Sequence, residues 1–181
     1  VSENTLKLEV LKQFADNKIF VETGTHQGKG VEVALAAGFE KIISIESDPD
    51  YFHRAVEKFK INTNVILVLG DGGIVLPQIL EEINQQVTFW LDAHYSVGES
   101  FHKDISSCPI LDELSAVAEH DIKTHTILID DMRYFRLGIN QWNNIKLADI
   151  LVALKKINEK YVISYEKGSC EKDILVAKVR K

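Results

Sequence analysis

"FVETGTHQGKG", residues 20–30, sets the architecture. An apolar run ends in Glu22, glycines follow at 24, 28 and 30, and the pattern turns helical through "GVEVALAAGFE". A strand that enters a helix through a glycine-rich turn opens a strand–helix alternation, and the glycines let backbone turn sharply and approach a ligand. Upstream, "LKLEVLKQFADN" places Leu6, Val10, Leu11 and Phe14 on one helical face. Downstream, Gly38 closes the helix and "KIISIES" is a second strand. Asp48 and Pro49 then read as N-cap and first-turn residues of "PDYFHRAVEKFK", whose Phe52, Val56 and Phe59 share a face.

The alternation continues with strand "VILVLGD", helix "IVLPQILEEI" with Pro77 near its start, and strand "VTFWLDAH". Helix "CPILDELSAVAEH", strand "HTILIDD" and helix "IKLADILVALKKINEK" follow. The chain closes on "YVISYEKG" and "DILVAKVR", with a connection too short for a helical crossover, so these two strands pair antiparallel. The expected fold is α/β: a Rossmann-like, doubly wound, mostly parallel seven-stranded sheet with a C-terminal antiparallel strand pair. A single domain over 1–181 is expected, with an N-terminal helix in 1–17 and the core in 18–181.

Composition excludes several classes. A net charge of −6 argues against a broad nucleic-acid surface. No apolar stretch approaches the roughly 20 residues that span a bilayer, so no membrane partner is expected. The first ten residues lack the basic-then-apolar layout of a signal peptide. Cys108 and Cys170 lack metal or redox spacing, which fits a reducing, cytoplasmic setting.

In such a sheet, ligands sit beyond the carboxyl ends of the strands. The first strand ends in Glu22, Gly24, Thr25 and Gly28, a loop that suits either a nicotinamide dinucleotide or S-adenosylmethionine. Glu46, about 20 residues further on, can accept hydrogen bonds from both hydroxyls of a ribose. Asp71, followed by Gly72, ends the third strand and can reach an adenine edge. Asp92 ends the fourth strand, and Asp130 and Asp131 the fifth. Three converging carboxylates suit a hard cation such as Mg²⁺; the alternative places Asp92 on the cofactor and leaves Asp130 and Asp131 capping the next segment.

From about Phe20 onward these residues resemble the class I S-adenosylmethionine-dependent methyltransferases of the metal-dependent O-methyltransferase type, as in catechol O-methyltransferase and the macrocin-type sugar O-methyltransferases. The resemblance implies that "ETGTHQG" holds the methionine part of the cofactor, that Glu46 holds the ribose, and that Asp92, Asp130 and Asp131 bind Mg²⁺. The chain departs from the catechol type where a lysine base is expected after the fourth strand and "DAHY" stands instead. His94 or Tyr95 then stands where the base is needed, with His94 preferred because imidazole accepts a proton near neutral pH, and Asp92 beside it. The short-chain dehydrogenase reading needs Tyr-x-x-x-Lys, and no tyrosine here has a lysine four residues on.

The expected activity is methyl transfer to a hydroxyl of a small molecule, a sugar or another polyhydroxylated acceptor. Candidate acceptor contacts come from two segments. The connection 95–107 offers Tyr95 and His102, and "MRYFRLGINQW" offers Arg133, Tyr134, Arg136 and Trp142. The N-terminal helix is too short for a full lid, which leaves room for a homo-oligomer to complete the pocket. Two other classes stay open: an NAD(P)-dependent oxidoreductase, and a non-catalytic S-adenosylmethionine-binding module.

Overall fold

The computed structural model describes residues 5–92, 108–139 and 142–180. His94, Tyr95 and His102, with the whole 95–107 connection, lie outside the described residues.

The central strand β1 (Ile19–Thr23) is buried along its whole length, as a strand covered on both faces must be. It pairs parallel with β2 (Lys41–Glu46) and β4 (Val87–Leu91), placing Ile19 opposite Lys41 and Val87. β3 (Val65–Leu69) lies outside β2, and β5 (Thr126–Ile129) outside β4, both parallel. β7 (Ile174–Val179) runs antiparallel to β5, and β6 (Tyr161–Glu166) pairs antiparallel on its far side. The seven-stranded order is β3-β2-β1-β4-β5-β7-β6, with the antiparallel pair where the sequence puts it.

Period-two alternation sends successive side chains to two cores. Phe20, Ile42, Trp90, Leu128 and Val176 meet α1 (Leu8–Lys12), α2 (Lys29–Ala37) and α3 (Pro49–Phe59) on one face. Val21, Ile43, Phe89, Ile127 and Leu175 meet α4 (Gly72–Glu81), α5 (Ile110–Glu119), α6 (Met132–Leu137) and α7 (Leu147–Ile157) on the other.

Local details revise several expectations. The N-terminal helix is a five-residue turn, although Leu6, Val10 and Leu11 are buried as the periodicity requires. Asp48 caps α3, its Oδ1 accepting the Asp50 and Tyr51 N–H groups at 2.8 and 3.2 Å. The buried stripe of α3 is Ala55 and Phe59, while Phe52 is half-buried and Val56 exposed. α3 packs on the edge pair β2–β3, so less of its surface is covered than on a central helix. α4 begins at Gly72, which puts Pro77 inside the helix rather than near its start. α6 is a short helix at the start of the segment expected to offer acceptor contacts.

At the amino end of β4 and β5 a hydrogen-bond chain fixes two imidazoles. Val87 N–H donates to His125 Nδ1 at 3.1 Å, His125 Nε2 meets His120 Nδ1 at 2.9 Å, and His120 Nε2 meets the Ile83 carbonyl at 2.8 Å. Because the Val87 N–H donates to Nδ1, His125 accepts there and carries its own proton on Nε2. Burial, with His120 and Lys123 nearby, pulls His125 down to about 4. The unfolded chain therefore binds this proton at higher pH than the folded one, so the contribution of neutral His125 is complete above pH 6.5 and lost as pH falls toward about 4. Urea unfolding of His125→Gln beside the wild type should show a destabilisation that is largest at pH 7.5 and shrinks steadily by pH 4.5. A pH-independent difference would contradict a neutral His125.

Candidate functional site

The glycine loop is built around the buried carboxyl of Glu22. A Cβ on Gly30, in the first turn of α2, would overlap Glu22 Oε2, so the missing side chain is the space the carboxyl fills. Ser44 Oγ donates to Glu22 Oε1 at 2.6 Å, and Thr25 Oγ1 donates in turn to Ser44 Oγ at 2.5 Å. Burial pushes Glu22 up to about 8, opposed by the Ser44 bond and reinforced by the charge of Glu46. The Thr25 hydroxyl thus points inward, and Ser44, which the sequence reading missed, links loop to strand. Gly24 and Gly28 adopt φ of +86° and +75°, the left-handed region that favours glycine.

Glu46 stands at the end of β2. Its Oε2 accepts the His26 N–H at 2.7 Å and its Oε1 the Asp48 N–H at 2.8 Å. Each oxygen keeps a second lone pair, the provision two neighbouring hydroxyls of a ribose would use. Burial raises its proton affinity, and the two backbone bonds oppose the rise.

Asp71 caps α4, accepting the Gly73 N–H at 2.9 Å. The paired glycines after it have a packing cause, because Cβ atoms at Gly72 and Gly73 would overlap Glu113 Oε1 and crowd Asp112. Glu113, on α5, is wholly buried, and neither carboxyl oxygen has a well-formed hydrogen bond among the described residues. Burial pushes it up to about 8, with the Thr23 hydroxyl relieving part of the cost and Asp71 adding to it. Nothing in the sequence distinguishes Glu113 from an exposed helix acid.

The acids of the later strands gather as their order suggests, with one addition and one separation. Carboxylate oxygens of Asp130, Asp131 and Asp173 lie within 4.8 Å of one another, and Asp92 is outside that group. Asp173, which precedes β7, went unnoticed in the sequence because its loop returns to the site only through the antiparallel pair. Burial raises the proton affinity of Asp92, and Asp130 and Asp131 add to the rise. Asp130 is raised by burial and by Asp131, while its Oδ2 accepts the Thr5 hydroxyl. Asp131 sits at φ +63° before α6, also raised by burial and held back by Arg133.

The two arginines expected to grip an acceptor are engaged inside the chain. Arg133 Nη2 pairs with Asp131 at 2.5 Å and its Nη1 with Asp173, with the guanidinium 4.6 Å from the Tyr134 ring centroid. The Arg133 N–H and the Ser169 N–H donate to Asp173 at 3.1 and 3.2 Å. Arg136 donates to the Lys172 carbonyl and lies over Tyr165. Both tie α6 to the loop between β6 and β7. Trp142 is buried against Phe135 and Tyr134, which leaves Tyr134 as the more exposed ring of this segment. The oxygen donors suit a hard divalent ion, but a guanidinium already bridges two of the three carboxylates. As built, the group does not fit Mg²⁺.

No family model and no curated protein matches the chain by sequence. Solved structures do match it in fold. A Clostridium thermocellum protein described as an rRNA methylase aligns with a TM-score of 0.66 and 13% identity over 98% of this chain and 97% of its own. A Streptococcus mutans protein described as a methyltransferase, solved with S-adenosylhomocysteine, aligns at 0.63 and 14% identity over 95% of each chain. A Staphylococcus aureus protein described as a caffeoyl-CoA O-methyltransferase aligns at 0.61 and 10% identity over 96% of this chain and 82% of its own. The chain therefore has the Rossmann-like fold of these proteins, with the seven-stranded mixed sheet and the closing antiparallel pair.

Two outcomes follow from the buried acids. Gly30→Ala should destabilise by about 1–3 kcal/mol in urea unfolding, because Glu22 has nowhere to retreat. Wild-type stability in Gly30→Ala would mean that Glu22 moves freely. For Glu113 the folded pKa lies above the unfolded one, so stability falls as pH rises from 4.5 toward about 8. Glu113→Gln should gain on the wild type across that window and level off above it, by about 1–3 kcal/mol at pH 8.5. A flat difference would mean that the carboxyl is ionised and satisfied.

Proposed function

We propose that the protein is an S-adenosylmethionine-dependent methyltransferase acting on a hydroxyl oxygen of a small, polyhydroxylated acceptor. The observation that carries this reading is Glu46, held beside the glycine loop by two backbone N–H groups with a lone pair spare on each oxygen. The strand order supports it. Dinucleotide-binding sheets commonly run 3-2-1-4-5-6, whereas here an antiparallel strand stands between β5 and β6. Together with the missing Tyr-x-x-x-Lys, this favours methyl transfer over nicotinamide chemistry.

Glu46 would hold the ribose, the Gly24–Gly28 backbone the methionine end, and Asp71 the adenine edge. When bound, S-adenosylmethionine would supply an electrophilic methyl group, with its sulfur as a neutral thioether leaving group. The acceptor oxygen would take the methyl and give its proton to a base of this chain. Asp92, whose proton affinity is raised by burial and neighbouring acids, suits that role, with His94 two residues on as its alternative. Most of the remaining catalytic requirement is alignment. Tyr134 offers a partly exposed ring against which an acceptor can lie.

Calorimetric titration tests the cofactor class. S-adenosylmethionine should bind with a dissociation constant near micromolar, NAD should give no heat, and Glu46→Gln should weaken binding at least about tenfold. NAD binding in its place would overturn the reading. Binding without S-adenosylhomocysteine release across a panel of hydroxylated acceptors would favour a non-catalytic binding module.

A further inference from the structure

We propose that Arg133 is the resident counter-ion of the carboxylate group at the ends of β5 and β7, and that it closes this group to divalent cations. Four observations carry the inference. Oxygens of Asp130, Asp131 and Asp173 lie within 4.8 Å of one another, close enough to share one cation. Arg133 pairs with two of the three through separate nitrogens, using the rigid planar fork of the guanidinium to span both acids. Its backbone N–H is tied to Asp173, and its side chain is braced by the Tyr134 ring, so the bridge is fixed at both ends. Finally, α6 delivers Arg133 only two residues after Asp131, a placement that is local and permanent.

The consequence is a site with a fixed single positive charge where an exchangeable double charge would otherwise sit. A guanidinium keeps its proton at any physiological pH, so it cannot be neutralised to make way for an ion. A divalent cation would have to break two ion pairs and eject a half-buried side chain before meeting its ligands. The acids thereby serve to orient α6 and the 167–173 loop. The inference goes beyond the methyltransferase reading and does not depend on it.

Electron paramagnetic resonance titration with Mn²⁺ on chelator-treated protein reads the outcome without any enzymatic assay. Wild-type protein should show no saturable Mn²⁺ binding below about 1 mM. Arg133→Met removes the charge while keeping much of the volume, and should bind Mn²⁺ at least about tenfold more tightly than the wild type. Asp173→Asn in that background should abolish the gain. Micromolar Mn²⁺ binding by the wild type that is lost in Asp130→Asn would overturn the proposal. So would a folded Arg133→Met protein, judged by circular dichroism, that gains no binding. If Arg133→Met does not fold, Arg133→Gln, which removes the charge but keeps a polar, hydrogen-bonding head, should also bind Mn²⁺ more tightly than the wild type. A folded Arg133→Gln protein that gains no binding would overturn the proposal. Loss of S-adenosylmethionine binding would leave all these Mn²⁺ outcomes unchanged, so the two readings fail separately.

Discussion

Glu22 can be buried at the end of β1 only because Gly30 has no side chain, and much of the site follows from that fit. The carboxyl fixes Ser44, Ser44 fixes Thr25, and Thr25 begins the turn that sends the chain back into α2. The same turn presents the His26 N–H to Glu46, so β1, β2 and both their loops are joined through two acids. A buried carboxyl that keeps its proton near neutral pH is tolerable here because its hydrogen-bond partner is a hydroxyl, which serves either protonation state.

Charge is distributed very unevenly along the strand direction. The carboxyl ends of β1, β2, β4 and β5 carry Glu22, Glu46, Asp92, Asp130 and Asp131, with Asp173 and Arg133 beside them. The amino ends of β4 and β5 carry two hydrogen-bonded histidines and a lysine that caps the last carbonyls of α5. Desolvation acts on both groups in the same sense, favouring the neutral form of each. The acids are thereby raised and His125 lowered, so the two ends of the sheet lose stability in opposite directions of pH.

What was legible in the sequence was whatever depends on neighbours along the chain. Strand–helix alternation, the Asp48 cap, the glycine turn and the closing antiparallel pair are local patterns, and each appears in the fold. The residues that escaped are brought in from a distance. Ser44 is an unremarkable strand serine until β2 lies beside β1, and Asp173 is a loop acid until β7 pairs with β5. The packing role of Gly72 and Gly73 is likewise invisible, because the side chains they make room for, Glu113 and Asp112, lie on another helix. Arg133 and Arg136 looked like anion grips for the same reason. A side chain's charge is visible in sequence, but the partner that occupies it is not.

The position of β7 has a consequence for how the chain comes together. Among the described strands it comes last in sequence, yet it is an inner strand, flanked by β5 and β6. A polypeptide emerging amino end first therefore holds β5 with an open, apolar edge until 174–179 have been made. Asp173 arrives in the same stretch, and with it the second carboxylate that Arg133 bridges. Strand pairing and site assembly are thus completed in one late, long-range event, and a nascent chain that stops short of residue 173 has neither.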